Sequence, residues 1–186
     1  EALALFPARE KEASLLFQAA GGGLTAPQTT SMGRLFDAIA SLAGVCETVS
    51  FEGQAAISLE HLAEESEQNS YRFLITRGED GWIYDWRPVV KGVILDAANG
   101  VSTGRISMRF HRALASLLLD AATTHREETN LSTIALSGGC FQNELLLKLS
   151  VPALVESGFT VLLNRLVPCN DGGISYGQAA AAAQQE

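Results

Sequence analysis

An α/β fold is predicted from three features of the sequence. In the last third, short apolar runs at Thr133–Leu136 and Thr160–Leu163 are each followed by a glycine-containing turn and then by a helical segment. Upstream, apolar residues recur at helical spacing in several segments. Between these, Tyr71–Thr76 and Trp82–Trp86 read as two strands joined by the polar turn Gly78-Glu79-Asp80-Gly81, a β-hairpin.

Taken in order, residues 1–20 read as helical through Leu3, Leu5, Leu15, Leu16 and Phe17, and Gly21-Gly22-Gly23 end that pattern. Met32, Leu35, Phe36, Ile39, Leu42 and Ala43 trace a second helix, with Ser31 to cap it and Gly44 to stop it. A turn at Ser50–Gly53 leads into a helix carrying Ala55, Ala56, Leu59 and Leu62 and reaching about Glu65. After the hairpin, Pro88 suits the start of a helix over Val89–Ala98 that ends near Gly100. The longest periodic segment, through Ile106, Phe110, Leu114, Leu117 and Leu118, predicts a helix from Thr103 to about His125. The remainder reads as strand, glycine turn, helix over Phe141–Glu156, strand, turn, and a helix from Ile174 to the end. No internal repeat, charged block or long flexible linker divides the chain, and only a weak boundary near Gly100 stands out.

The composition allows a real core: 186 residues, 47% of them hydrophobic. A formal charge of -8 argues against binding to a nucleic-acid backbone, which needs clustered Lys and Arg. Cys46, Cys140 and Cys169 are odd in number and far apart, so they outline neither a disulfide framework nor a CxxC zinc site, and a reducing cytoplasm is expected. Apolar stretches fall well short of the ~20 residues of a membrane span, and no signal peptide pattern opens the chain. The chain starts on Glu1 within what reads as the middle of a helix, so a fragment of a longer protein is expected. His61, His111 and His125 make no HxxxH or HExxH frame, and GxSxG and GxxxxGK[ST] loops are missing. For His111, beside Arg109 and Phe110, a helix-surface position is expected ahead of one facing a cleft.

Three places could carry chemistry. Ser137-Gly138-Gly139-Cys140-Phe141-Gln142-Asn143 is a strand-turn-helix elbow: paired glycines admit a ligand to the backbone, a helix N-terminus favours an anion, and Asn143, placed in the first helical turn, offers both a donor and an acceptor. The same pattern also fits an ordinary tight connection. Pro168-Cys169-Asn170-Asp171-Gly172-Gly173 is a second elbow, where Asp171 could ligate a metal ion bridging phosphates, or where Asp171 or Asn170 caps the last helix. Asp37 could accept ribose hydroxyls or be a solvated helix carboxylate, and Glu52-Gly53 is either a loop turn or a point of close approach to a ribose or base.

The segments Ser31–Ala40, Phe51–Ala56, Arg109–Ala115, Leu136–Asn143 and Asn170–Gln178, in this order and spacing, resemble the C-terminal part of the HypF carbamoyltransferases. The resemblance covers nearly all of the chain from Ser31 onward. It implies an actin-like ATPase (ASKHA) fold of two RNase H-like lobes, with this chain the second: a helix and loop over residues 1–30, then the nucleotide-binding lobe over 31–186. It further implies that ATP or carbamoyl-adenylate, derived from carbamoyl phosphate, is bound and that the carbamoyl group passes to the C-terminal cysteine of a HypE-like acceptor, where dehydration yields the cyanide ligands of [NiFe] hydrogenase. Asp37 and Gly53 would hold the ribose and neighbouring nucleoside, Gly138, Gly139 and Asn143 would line the nucleotide, and Asp171 would ligate a divalent metal, with Mg, Fe and Zn not distinguished. The family's metal-binding histidine pair lies in the first lobe, so the chain alone is expected to be catalytically incomplete. An isolated lobe could also pair with a second copy through apolar surface. The competing functions are an O-carbamoyltransferase of the same fold and a non-catalytic lobe that docks nucleotide or a partner.

Overall fold

The computed structural model describes residues 10–21 and 29–184. Its elements are α1 (Glu10–Gly21), α2 (Met32–Leu42), α3 (Gln54–His61), β1 (Leu74–Arg77), β2 (Trp82–Asp85), α4 (Arg87–Ala98), α5 (Thr103–Thr129), β3 (Thr133–Leu136), α6 (Glu144–Glu156), β4 (Thr160–Leu163) and α7 (Ile174–Ala183), with short 3-10 turns at Gly139–Gln142 and Asp171–Gly173. The α/β class expected from the sequence is what the chain adopts. No described helix is long and apolar enough to cross a membrane.

The chain forms two compact units, Glu1–Gln68 with Leu74–Met108, and Asn69–Phe73 with Arg109–Glu186. The division between the units falls inside α5. A helix carries no signal in its own periodicity of where one cluster of contacts gives way to the next.

In the first unit, α2 packs on α3 and α4, and Phe36, Ile39, Ala40, Leu59, Val89 and Val93 are fully or almost fully buried. Ser31 caps α2 by accepting the Arg34 N–H. The predicted α3 stops a turn early, at His61, because Glu64 N–H leaves the helix to bond Gly104 O at 3.0 Å. The hairpin is antiparallel with Arg77 opposite Trp82, and the Arg77 guanidinium lies over the indole at 4.9 Å. Tyr71–Phe73 were expected in its first strand, but Tyr71 instead bonds the Arg109 carbonyl in the second unit, so β1 begins at Leu74. At the turn into α4, Arg87 donates its guanidinium and its backbone N–H to Asp85, which holds that carboxyl below the usual carboxylate range.

Gly104 owes its identity to close packing. A Cβ there would lie 2.5 Å from the Leu62 carbonyl and 2.7 Å from Glu64 Cγ. Next to it, Ser102 donates to Glu64 and Arg105 pairs with the buried Glu67 at 2.7 Å, so the start of α5 is fastened to the segment that follows α3.

In the second unit, β3 and β4 pair in parallel, Thr133 with Thr160 through Leu136 with Leu163. Leu136, Leu154 and Phe159 form its core, with Leu119 and Ala122 of α5 and Leu147 and Val151 of α6 packed against them. Arg126 closes the edge: its guanidinium covers the Phe159 ring at 4.1 Å and donates to Ser157 O. α5 runs a turn beyond the expected His125, and Asn130, at φ 59°, ends it in the left-handed conformation Asn tolerates well. The expected helix over Phe141–Glu156 is split: a 3-10 turn comes first, and Asn143 caps α6 from outside it. Residues 1–9 of the first predicted helix and the end of the last lie outside the described residues.

Gly104→Ala should lower stability by about 1–3 kcal/mol, because the intruding methyl meets backbone that cannot move away cheaply. Urea unfolding of the two proteins, compared at their midpoints, measures this.

Candidate functional site

Parallel pairing places the carboxyl ends of β3 and β4 at one edge of the sheet, the position at which open α/β sheets bind ligands. Each strand there runs into one of the two elbows singled out in the sequence. They are tied together by a hydrogen bond from Gly138 N–H to Cys169 O at 2.7 Å.

The first elbow turns at Gly138, whose φ of +108° is a conformation that side-chain-bearing residues rarely adopt. Phe141 N–H returns to Gly138 O at 2.9 Å and Asn143 N–H to Cys140 O at 3.3 Å, which closes the 3-10 turn. A Cβ added at either Gly138 or Gly139 would meet no atom within 4 Å. The glycine pair therefore faces open space, and a ligand could lie directly on this backbone.

Asn143 does not sit in the first helical turn as expected; it is the cap itself. Its Oδ1 accepts the Leu146 N–H at 2.7 Å, and its Nδ2 faces His111 Nε2 at 3.0 Å. With Glu144 also in the first turn, the start of α6 already carries a cap and a negative charge. His111, expected at a helix surface, is wholly buried (0% exposed), because Phe110, His111, Ala113, Leu114 and Ala115 of α5 are all buried together. Alternation of polar and apolar types could not reveal this, since the polar His111 breaks the apolar pattern.

In the second elbow, Asn170 Oδ1 accepts the Gly172 N–H at 3.1 Å and Asn170 O the Gly173 N–H at 2.9 Å. Asn170 thus caps the 3-10 turn, which the exposed Asp171 opens, whereas α7 itself starts from Gly173 with no side-chain cap, so neither Asn170 nor Asp171 caps the last helix as expected. Gly173 is required by packing, since a Cβ would stand 2.5 Å from the Pro168 carbonyl. Among the described residues, no group of three or more His, Cys, Asp or Glu side chains could hold a metal ion. A lone exposed carboxylate does not make a divalent-cation site, so the described residues do not by themselves fit a metal.

The other two candidates lie in the first unit. Asp37, on α2, pairs with Arg34 at 3.0 Å and keeps about a third of its side chain exposed (32%). Gly53 caps α3 at φ +79°, and the turn before it is secured by Gln54 Oε1 accepting the Ser50 N–H at 2.7 Å. The structure thus groups Gly138, Gly139, Asn143 and Asp171 on two joined elbows, and sets Asp37 and Gly53 on two helices that pack together.

Comparison with known proteins matches residues 1–178 to the family described as carbamoyltransferase, Kae1-like domain, second subdomain. The chain belongs to the HypF family. It is 39% identical over 160 residues to carbamoyltransferase HypF of Synechocystis sp., covering 86% of this chain and 20% of that one. Against carbamoyltransferase HypF of Rhodobacter capsulatus it is 36% identical, covering 96% of this chain and 23% of the relative. A crystal structure of full-length HypF in the phosphate- and nucleotide-bound form superposes with a TM-score of 0.88 at 40% identity, over 94% of this chain and 23% of that one. The chain therefore spans about a fifth of the length of these HypF proteins.

The two adjacent glycines of the first elbow should differ in kind. Gly138→Ala is expected to cost roughly 1–2 kcal/mol through its backbone angle alone, whereas Gly139→Ala should fall within about 0.5 kcal/mol of the parent. Thermal melts of the pair check this.

Proposed function

We propose that the chain is the nucleotide-binding second lobe, of the actin-like RNase H-like type, of a HypF carbamoyltransferase. The observation that carries the reading is the open glycine pair at the carboxyl edge of the parallel strands, in a chain that superposes closely on a HypF crystallised with nucleotide and phosphate. Bare backbone there can approach phosphate oxygens without a Cβ between them, and backbone N–H groups supply the donors.

In this reading ATP or carbamoyl-adenylate lies along the Gly138-Gly139 backbone, with Asn143 at the base of the elbow. Asp171 would be one ligand of a divalent ion whose remaining ligands come from elsewhere in the enzyme. The reaction is transfer of the carbamoyl group to the C-terminal cysteine of a HypE-like acceptor. The cysteine sulfur, its thiol proton released to solvent, forms a bond to the carbamoyl carbon as that carbon's bond to the adenylate phosphate oxygen breaks, and AMP leaves. The product is the precursor of the cyanide ligands of [NiFe] hydrogenase, made in the cytoplasm.

Gly139→Val offers a test, because a Cβ at this position meets no atom within 4 Å, and circular dichroism checks that the variant folds. Calorimetric titration of ATP into the whole enzyme should show affinity falling about tenfold or more in Gly139→Val, since a branched side chain denies the phosphates the backbone. Unchanged affinity in folded Gly139→Val would place the nucleotide elsewhere and overturn the reading.

A further inference from the structure

We propose that His111 is a positioning residue for the glycine elbow: it accepts a hydrogen bond that sets which way the Asn143 amide points, and through Asn143 it holds the nucleotide-facing turn in shape. The part that concerns nucleotide rests on the function proposed above.

The orientation of the amide follows from its neighbours. Leu146 N–H can only donate, so the atom of Asn143 that it meets at 2.7 Å is the oxygen. The other end of the amide is then the NH2 group, which also only donates, and at 3.0 Å it faces Nε2 of His111. That nitrogen must present its lone pair. The ring is therefore the neutral tautomer with its proton on Nδ1, and a proton on Nε2 would set donor against donor.

Burial gives this bond its weight. His111 is 0% exposed and Asn143 8%, so water does not readily replace a lost partner, and an unmet amide donor carries its full desolvation penalty. An amide turned over to relieve a protonated or missing acceptor would bring NH2 against Leu146 N–H and forfeit the cap of α6. The acceptor is also well anchored, since His111 stands within the 27 residues of α5, whereas Asn143 belongs to a loop. From Asn143 the bonds run on without a gap: its N–H to Cys140 O, Phe141 N–H to Gly138 O, and Gly138 N–H to Cys169 O in the second elbow. His111 is thus placed to act on the elbow through Asn143.

The test uses the whole enzyme with His111→Gln, whose amide oxygen can take the place of Nε2 as acceptor, and His111→Leu, which fills space and accepts nothing. ATP titration should show His111→Gln within about threefold of the parent and His111→Leu weakened roughly tenfold. Equal affinity in His111→Leu, or an equal loss in both variants, would overturn the proposal, since a merely space-filling histidine predicts no rescue by glutamine. A second measurement is independent of ligand. Nitrogen NMR should find His111 Nε2 unprotonated, and hydrogen exchange of the Leu146 amide should speed up in His111→Leu and recover in His111→Gln. A proton on Nε2, or unchanged exchange, would refute the role of His111. Should the parent enzyme bind no ATP at all, the proposed function fails, and the exchange and NMR results still decide whether His111 holds the elbow.

Discussion

The parallel pairing of β3 with β4 is the constraint on which the candidate site depends. Two parallel strands cannot be joined by a tight turn; the chain must cross back along the sheet, and α6 makes that crossing. The crossing brings the carboxyl ends of both strands to one edge, so the loops that leave them meet. Without the shared edge, Gly138 N–H would have no Cys169 carbonyl to bond, and the two elbows would be separate turns. The core of this unit, Leu136, Leu154 and Phe159, is built from the same strand and crossover helix and the start of the segment leading into β4.

Glycines at these elbows serve different physical ends. Gly138 is needed for its backbone angle and Gly173 for the closeness of the Pro168 carbonyl. Gly139 is under neither constraint, so its lack of a side chain leaves backbone open to whatever binds there. Close packing of this kind is also what Gly104 provides in the first unit, against the Leu62 carbonyl. A run of glycines in a sequence does not tell these roles apart, because each depends on atoms that are distant in the chain.

Buried polar side chains mark the other places where the fold is specified. Glu67 is held by Arg105, Ser107 donates to the Leu59 carbonyl, Ser150 to the Leu146 carbonyl, and Asn143 faces His111. No buried side-chain nitrogen or oxygen among the described residues lacks a partner. Because an unmet polar group in the interior costs more than a met one returns, these pairs select one packing arrangement over its near alternatives.

Much of this was legible in the sequence. Helical spacing located α2, α4 and α5, and the β-branched runs located β3 and β4 to the residue, because both signals are local and repeat along the chain. The five ordered motifs pointed to the HypF family, and the two elbows could be read as turns leading into helices. Residue order alone did not show that α5 would belong to two units, that Tyr71 would leave the hairpin for Arg109, or that Asn143 would cap α6 while facing a fully buried histidine. Those outcomes depend on pairings across tens of residues, and only the folded chain determines them: the sequence by itself decides periodicity, turn chemistry and kinship, while tertiary structure decides which polar group meets which and which glycine faces space.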